Sequence, residues 1–568
     1  MTGEQGGDRG LYLGLSLILG LGLALRLWGL DFGLPNLNCR PDESTLVHKA
    51  AGMGTGDLNP HFFNYPSLHF YVLAVLYGLY FCAGYLSGTF AGLADFEHQC
   101  LVDPSAVYLL GRFLGAGLGT ASIAVLYLIG RSAGSRRVGL VAAALLSVAF
   151  LHTRDSHFLT VDIPASFHLL MAYLFYFRYL QRGRWGELAW GAVFLGLAAS
   201  TKYNLGIFVV AQVLAVVLGP AGAARGRQLA GSLALTGLAF VAGTPFALLD
   251  WHTFWRDLSF ERAHFAAGHG QDLGWGWVRH LSFTLPAGLG WPLLLAGLGG
   301  CVWLGWRRRA IDLVLLGGIL AYYAVAGSGK LVFPRYMLPL VPLLCLSAAV
   351  GLEEVARRWR GLWAVLVLAA LVPGVVLSWQ HDQLLARPDT RLLAAEWIEA
   401  QVPDGAYIVM TGSEYGHPQV RRTRMWVQER FEDLRQAAES SWYQARMLQL
   451  PGFPPAPAYY VVSLRPAFRM PLRSVWNLCP VDSLLNRGVG WVVTLEHPLL
   501  YSQVDAEFAR QLESQAVLMA RFDPFVAGEH SPPVYDPLDA YYAPLAGFAA
   551  LERPGPLIRI YRLEVQKP

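Results

Sequence analysis

The sequence predicts a polytopic α-helical membrane protein of about eleven spans with a soluble α/β domain at its C-terminus. Three observations support this fold class. The 568 residues are 54% hydrophobic and 15% charged, whereas soluble domains carry about 25% charged residues. Apolar blocks follow one another from Leu11 to about Trp379, and no later run is long enough to cross a bilayer. The predicted domains are therefore a transmembrane module, residues 1–380, and a soluble domain, residues 381–568.

The apolar blocks define the predicted spans. The first block is too long for the apolar core of a cleaved signal peptide, so we predict an uncleaved anchor helix. Several later blocks are shorter than the roughly 20 residues that a perpendicular crossing needs, so their boundaries are expected to extend into neighbouring polar motifs. The predicted spans are residues 11–30, 106–130, 138–152, 163–181, 187–201, 204–219, 229–249, 281–305, 311–328, 336–352 and 361–379.

Basic residues in the short loops between these blocks give the predicted orientation. Loops rich in Lys and Arg stay on the cytoplasmic side. We therefore predict a cytoplasmic N-terminus, an extracytoplasmic C-terminal domain and a location in the plasma (inner) membrane. The basic clusters are Arg131/Arg136/Arg137, Arg182/Arg184, Arg225/Arg227, Arg307/Arg308/Arg309 and Arg357/Arg358/Arg360.

One apolar block, Pro66–Phe90, does not fit this assignment of the loops to the two sides of the membrane. It is long enough to span, yet a crossing here would move every later basic cluster to the outer side. The loop that follows, residues 91–105, has no Lys or Arg. We therefore predict a juxtamembrane helix in the outer leaflet. An ordinary span with a missed crossing elsewhere remains the alternative.

The stretch "NCRPDESTLVHKA" follows the first span and contains two adjacent carboxylates, Asp42 and Glu43. Pro41 suits the first turn of a helix from about Asp42 to Ala51, and the helix dipole favours acidic residues there. The structural interpretation is an acidic helix start. The functional interpretation is a carboxylate base that deprotonates an acceptor hydroxyl or amine.

Two further motifs, "RDSHFLTVDIP" and "TKYN", place Asp162 and Lys202 on the same predicted outer side. Asp162 either caps the following helix or serves as a second carboxylate that orients the acceptor, stabilises the base or holds a divalent cation. Lys202 either snorkels to the interface or neutralises a phosphate. Its neighbours Tyr203 and Asn204 are candidate substrate or gating residues.

The motif "GKLVFPRYMLPLVPLL" places Lys330 and Arg335 at the outer mouth of a helix. Arg binds phosphate bidentately and Lys acts as a point charge. The alternative is that these two cations only border a membrane span and have no ligand. Cations on the outer side, however, run against the positive-inside rule. In the long outer loop, His264 and His269 are predicted to be surface or gating residues, since "HFAAGH" is no recognised ligand signature.

These groups together favour an enzyme. Cations would hold the phosphate of a lipid-linked sugar, a carboxylate would activate the incoming nucleophile, and the lipid phosphate would leave. The alternatives are a polyprenyl-linked glycan polymerase or ligase and, less favoured, a transporter. Transporters tend to show internal repeats and charged groups at the midplane, and neither is found in this sequence.

At these residues the chain resembles the GT-C glycosyltransferases, specifically the branch of protein O-mannosyltransferases and lipid A aminoarabinose transferases. The matching pieces are "RPDE", "GDLNPHFFNYPSLHFY", "GRFLGAGLGTASIAVLYLIGRSAG", "DSHFLTVDIPASF", "STKYNLGIF" and "FPRYMLPLVPLL", within about residues 10–380. The resemblance implies a monosaccharide donor linked to polyprenyl phosphate and transfer on the extracytoplasmic face. It implies Asp42 as the catalytic aspartate, Asp162 as the second acidic position, and Lys202, Lys330 and Arg335 as donor-phosphate contacts.

The chain also departs from both families. It lacks the His-Pro-Pro element and lumenal repeats of the mannosyltransferases, and it has "NYPSLHF" where the aminoarabinose transferases have a Lys-Pro-Pro element. The acceptor therefore stays open among protein, lipid and glycan. The sequence firmly implies no cofactor, because none of its six cysteines forms a CxxC pair and no DxD occurs; a divalent cation stays an alternative that no motif supports. A net charge of +4 is too small to suggest nucleic acid.

The C-terminal residues 381–568 alternate helical and strand patterns. Asp389–Gln401 is predicted to be a helix, and "AYIVM", "YYVVSL", "WVVTL" and "LIRIYRLE" are predicted strands. No Gly-rich loop precedes a helix, so a sugar nucleotide is not an expected ligand. The domain is expected to bind the acceptor, cover the active site or contact a partner.

Overall fold

The structure is a computed structural model that describes residues 2–220, 222–437, 441–465, 473–499, 502–528 and 532–564. The chain folds into two compact units. The first contains residues 1–30, 49–76 and 110–382, and the second contains residues 31–48, 77–109 and 383–568. Two segments that the sequence places in the transmembrane module, 31–48 and 77–109, therefore cluster with the C-terminal residues.

Helices dominate up to residue 385. In chain order they are α1 (Thr2–Leu27), α2 (Glu43–Gly52), α3 (Leu68–Leu86), α4 (Leu93–Val102), α5 (Ser105–Ala133), α6 (Arg136–Val148), α7 (Phe150–Asp155), α8 (Asp162–Arg182), α9 (Trp185–Thr201), α10 (Val209–Leu218), α11 (Arg225–Gly243), α12 (Phe246–Leu249), α13 (Trp251–Ala267), α14 (Gly276–Arg279), α15 (Leu285–Leu289), α16 (Trp291–Arg307), α17 (Ala310–Ala326), α18 (Leu340–Arg358) and α19 (Arg360–Leu385). Tight turns of 3₁₀ helix cover Tyr203–Phe208 and Pro334–Met337.

Four of the described helical segments are long and apolar enough to cross a membrane: Gly10–Leu27, Leu68–Leu86, Ser105–Ala133 and Arg360–Gln401. A fifth is added if the bent pair Gly276–Leu289 and Trp291–Arg307 counts as one span. A multi-pass membrane protein with a C-terminal sheet domain is thus confirmed. The count of eleven spans stays a prediction, because most of the other apolar helices are short or broken by polar residues.

The first unit packs its helices closely through small residues. A Cβ at Gly300 of α16 would lie 2.0 Å from the Ser347 carbonyl oxygen of α18. The first unit's core is rich in buried Leu, Ala and Val of α6, α8 and α18. In a membrane, small residues allow such close backbone approach and the van der Waals contact that comes with it.

The second unit contains a six-stranded sheet in the order β3-β2-β1-β4-β6-β5. The strands are β1 (Tyr407–Thr411), β2 (Tyr460–Arg465), β3 (Val475–Asn477), β4 (Trp491–Glu496), β5 (Ala516–Phe522) and β6 (Leu557–Leu563). The first four are parallel neighbours, and β6 pairs antiparallel with both β4 and β5. The helices of this region are α20 (Thr390–Gln401), α21 (Arg424–Gln436), α22 (Trp442–Gln449), α23 (Val481–Asn486) and α24 (Ala506–Gln515).

The alternation along β1 explains why this sheet is buried on both faces. Ile408 and Met410 join one apolar cluster with Ile398 of α20, whereas Val409 joins another with Phe508 of α24. Successive side chains of a strand point to opposite faces, so a continuously apolar strand indicates helices on both sides. The four predicted strands correspond to β1, β2, β4 and β6, and the shorter β3 and the partly exposed β5 were not predicted.

Two predicted helices begin one residue later in the structure. The helix expected from about Asp42 to Ala51 spans Glu43–Gly52, so Pro41 lies before the helix and not in its first turn. The helix expected at Asp389–Gln401 spans Thr390–Gln401, and the Asp389 side chain accepts a hydrogen bond from the Arg391 N–H as its N-cap. A polar side chain just before a helix satisfies an amide that the helix leaves unbonded.

Candidate functional site

The first unit brings two predicted site residues into a buried ion pair. Asp162 is the first residue of α8, and Lys202 directly follows the last residue of α9. The Lys202 Nζ donates to Asp162 Oδ1, with side-chain exposures of 12% and 5%. Because Coulomb attraction is stronger away from water, this pair fixes two functional candidates against each other.

Aromatic and amide groups surround Lys202. Its Nζ lies 4.9 Å from the ring centroid of Tyr336. Asn204 donates from Nδ2 to the Tyr322 hydroxyl at 2.8 Å, and that hydroxyl donates to the Tyr336 carbonyl at 2.7 Å. Asn204 Oδ1 is buried and finds no hydrogen-bond partner within the described ranges. The arrangement offers a held cation, an aromatic face and an amide oxygen in one place.

The Tyr203 hydroxyl has a hydrogen-bond partner outside that cluster. It donates to the Phe63 carbonyl at 2.9 Å, and its ring lies 6.2 Å from that of Phe254. Its hydroxyl therefore bonds the backbone of the segment that precedes α3.

Lys330 lies in a far more exposed environment. Its Nζ is 3.4 Å from Asp272 Oδ2, with side-chain exposures of 58% and 67%. The Gly274 N–H and Lys330 together lower the pKa of Asp272. Exposed pairs of this kind contribute little to stability, so Lys330 is held loosely.

The two loop histidines contact each other. His269 Nδ1 lies 3.2 Å from His264 Nε2, and the His269 ring lies 5.6 Å from that of Phe333. Arg335 also packs on Phe333, with its guanidinium carbon 4.3 Å from the centroid of that ring. Arg335 belongs to the same 3₁₀ turn as Tyr336. Phe333 is therefore the residue that the histidine pair and Arg335 share.

The second unit holds the predicted first-loop carboxylates. Glu43 begins α2 and is fully buried, whereas Asp42 is half-buried and has a left-handed backbone, φ +74°. A non-glycine residue in that conformation costs about 1–3 kcal/mol and often marks a functional position. Burial, with Asp42 and Glu414 as negative neighbours, raises the pKa of Tyr415 to about 12.

The first loop is tied to the C-terminal residues of its own unit. Arg40 donates to Asp539 Oδ2 at 2.7 Å, and both side chains are buried. Asn36 Nδ2 donates to the His417 carbonyl at 3.1 Å. No local pattern singles out Arg40 or Asp539, because the two residues are far apart in the chain.

Tyr322 and Tyr336 are the other site residues that sequence reasoning missed. Tyr336 lies inside the quoted motif "FPRYM", and Tyr322 lies in the apolar block of α17. Tyrosine is common in membrane-spanning and interfacial segments, so composition offered no signal. A hydroxyl that must find a partner inside an apolar helix was the available clue.

Comparison with known proteins identifies the segment that contains Asp162 and Lys202. Residues 108–248 match the family profile described as dolichyl-phosphate-mannose-protein mannosyltransferase. Over 175 residues the chain is 29% identical to dolichyl-phosphate-mannose–protein mannosyltransferase 1 of Saccharomyces cerevisiae. That match covers 28% of this chain and 21% of the yeast protein, so it spans about a fifth of the relative's length.

The fold has a counterpart over almost its whole length. ArnT from Cupriavidus metallidurans bound to undecaprenyl phosphate has a TM-score of 0.52 and 15% identity, covering 96% of this chain and 97% of that chain. The apo state of the same protein gives the same values. The resemblance predicted from the sequence is thus confirmed as a likeness: residues 108–248 match a mannosyltransferase profile, and the fold is similar to that of ArnT.

Proposed function

We propose that the protein is an integral-membrane glycosyltransferase that moves a monosaccharide from a polyprenyl-phosphate donor to an extracytoplasmic acceptor, which is a protein, lipid or glycan. One observation carries the proposal: the buried Asp162–Lys202 pair lies inside the segment, 108–248, that matches the mannosyltransferase profile. The two named relatives, one for dolichyl-phosphate-mannose and one bound to undecaprenyl phosphate, support a polyprenyl-phosphate donor.

Lys202 is proposed as the principal contact of the donor phosphate. Its low exposure strengthens its attraction for a phosphate, and Asp162 holds the ammonium group in place before the donor arrives. Arg335 is half-buried and belongs to the turn that also contains Tyr336, so it is proposed as the second cation. Lys330 is proposed as a loosely held third cation.

Asp42 is proposed as the base, with Glu43 as the residue that positions it. In the proposed step the Asp42 carboxylate takes the proton from an acceptor hydroxyl or amine. The acceptor oxygen or nitrogen bonds to the anomeric carbon, the bond from that carbon to the phosphate oxygen breaks, and polyprenyl phosphate leaves. General-base catalysis of this kind contributes about 10²–10⁴-fold.

The orientation belongs to the same proposal: a cytoplasmic N-terminus, about eleven crossings, and an extracytoplasmic active site and C-terminal domain at the plasma (inner) membrane. Single cysteines at Ser87 and Asp103, introduced into a cysteine-free background, test it in intact cells. Labelling of both by a membrane-impermeant maleimide is expected. Protection of both in intact cells, with labelling only after lysis, contradicts this sidedness.

The activity test uses the purified full chain in lipid nanodiscs with a panel of radiolabelled polyprenyl-phosphate sugars. A membrane extract supplies acceptors, and release of polyprenyl phosphate is measured together with transfer of label. At least one donor should be consumed in a protein-dependent reaction. If no donor in the panel is consumed, the proposed function is wrong.

The base is tested by Asp42→Asn, matched with Asp31→Asn, an exposed carboxylate of the same loop. Asp42→Asn should lower turnover by about 10²-fold or more and leave donor binding nearly unchanged, because the amide cannot accept the proton. Asp31→Asn should retain turnover. Full activity of Asp42→Asn would remove Asp42 from the mechanism.

A further inference from the structure

Two histidines and an aspartate meet in the interior of the first unit, apart from the residues assigned to the reaction. His157 lies in the loop after α7, and His381 and Asp382 lie near the end of α19. All three side chains are fully buried. One ligand atom from each lies within 4.8 Å of the others. Buried groups of this kind are rare without a partner for their charge.

The two distances that join Asp382 to the histidines match the edges of a tetrahedral metal site. Asp382 Oδ1 lies 3.4 Å from His157 Nε2 and 3.2 Å from His381 Nδ1. Zinc binds imidazole nitrogen and carboxylate oxygen at about 2.0–2.2 Å in tetrahedral geometry, which places neighbouring ligand atoms about 3.3–3.5 Å apart. A cation between these atoms thus requires little movement of the side chains.

The hydrogen bonds of His157 favour a cation at its second nitrogen. Its Nδ1 lies 3.0 Å from the Thr153 carbonyl, to which it donates in the tautomer that is protonated at Nδ1. A neutral imidazole has a single N–H, so in that tautomer Nε2 presents a lone pair to two oxygens. These are Asp382 Oδ1 and the Trp28 carbonyl, the latter at 3.2 Å. A metal at Nε2 satisfies both oxygens, and a carbonyl that receives the other ring N–H is the usual support of a metal-bound histidine.

Asp382 supplies an independent observation. Its Oδ2 is buried and has no hydrogen-bond donor in the part of the chain that the structure describes. The buried Arg26 directs its Nη atoms to the carbonyls of Gly22 and Ser147 and to His152 Nδ1. Leaving a buried acceptor unsatisfied costs the desolvation of that group, and a cation removes that cost.

We propose that His157, His381 and Asp382 bind a divalent transition metal, with zinc the best match, and that the Trp28 carbonyl is its fourth ligand. Two nitrogen donors favour zinc over magnesium or calcium, which prefer oxygen. Complete burial of the ligands leaves no open coordination position, so the metal is structural. It would fasten the loop after α7 to the end of α19. The proposal is independent of the proposed function.

The test measures metal in the full chain, purified in detergent through a peptide tag that binds no metal. Inductively coupled plasma mass spectrometry should find about one zinc per chain. Asp382→Asn and His381→Gln should each reduce bound zinc by about tenfold. His280→Gln is the matched control, because His280 is also fully buried but pairs with Thr284 outside the cluster.

A second measurement uses the wild-type chain alone, so it does not depend on the folding of variants. Protein stripped with a chelator and reloaded with Co²⁺ should show the strong visible absorption of tetrahedral cobalt. Zinc below about a tenth of an equivalent in the wild-type chain after incubation with Zn²⁺ would overturn the proposal. Unchanged zinc in a folded Asp382→Asn variant would also overturn it.

Discussion

The first unit contains two lysine–aspartate pairs. The sequence predicted the same role, binding of the donor phosphate, for both lysines. Lys202 and Asp162 are held at 12% and 5% side-chain exposure, whereas Lys330 and Asp272 are at 58% and 67%. Both lysines occur in short polar motifs between apolar blocks, and both were predicted to contact phosphate. The structure separates them by their access to water.

That difference in access decides what each pair contributes. A buried ion pair is costly to break, because either partner left alone is an uncompensated charge. An exposed pair is screened by water and salt and contributes about 0–1 kcal/mol. The same chemical pair is therefore a fixed part of the fold in one place and an adjustable surface contact in the other.

The largest expected effect comes from removing one partner of the buried pair. Asp162→Asn should destabilise the protein by about 3–5 kcal/mol, because Lys202 is left without its counter-charge. The thermal midpoint in detergent should fall more than in either single variant of the exposed pair. The double variant Asp162→Asn/Lys202→Met should recover part of the loss, and no recovery would show that the two charges are not coupled.

The next effect is on catalysis. Lys202→Met should reduce turnover of the polyprenyl-phosphate donor by about 10²–10³-fold, since a preorganised cation stabilises the developing phosphate charge. Lys202→Arg keeps the charge and should lose much less. Steady-state turnover in nanodiscs measures both variants. Equal losses in the two would indicate a packing defect and not the loss of a phosphate contact.

A smaller effect is expected at the exposed pair. Lys330→Met should raise the KM for the donor by no more than about tenfold, because a mobile surface cation contributes mainly long-range attraction. Kinetics at low and high ionic strength measure the effect, which should vanish near 1 M salt, where screening acts over about 3 Å. A salt-independent loss as large as that of Lys202→Met would remove the distinction between the two lysines.

The smallest effect belongs to Asp272→Asn. Because the pair is exposed, the thermal midpoint should change by the equivalent of about 0.5 kcal/mol or less. Asp162→Asn is the matched comparison, because both variants replace one carboxylate oxygen with an amide nitrogen and differ only in the burial of the site. A large fall in the midpoint for Asp272→Asn would mean that this loop is much less accessible to water than its exposure indicates.

Part of the fold could be predicted because it depends on local patterns. Apolar runs of membrane length indicated the multi-pass module, and the runs around Val409, Val462 and Val492 indicated the strands that lie next to each other in the sheet. The strand β3 was missed because it is only three residues long, and β5 was missed because its apolar run directly follows α24 with no turn residues between them. The predicted helix start at Asp42 was one residue early, because a left-handed backbone at that position is not encoded in an apolar pattern.

The candidate site could be predicted only as a set of residues. The motifs identified Asp162 and Lys202 separately, and no sequence argument paired them. Arg40 and Asp539 were missed for the same reason, since each looks like an ordinary surface charge until its partner is known. The proposed metal ligands show this most clearly: cysteine spacing argued against a metal, whereas the ligands are two histidines and an aspartate from distant parts of the chain.

The sequence by itself determined that the chain is a multi-pass membrane protein with a C-terminal sheet, since apolar length and period are local properties of the chain. It also determined the residue types available for phosphate and proton chemistry. Only the tertiary structure decided which carboxylate holds which lysine and which charges are kept from water. Pairing and burial depend on contacts between residues remote in the sequence, and burial sets the strength of every charge interaction.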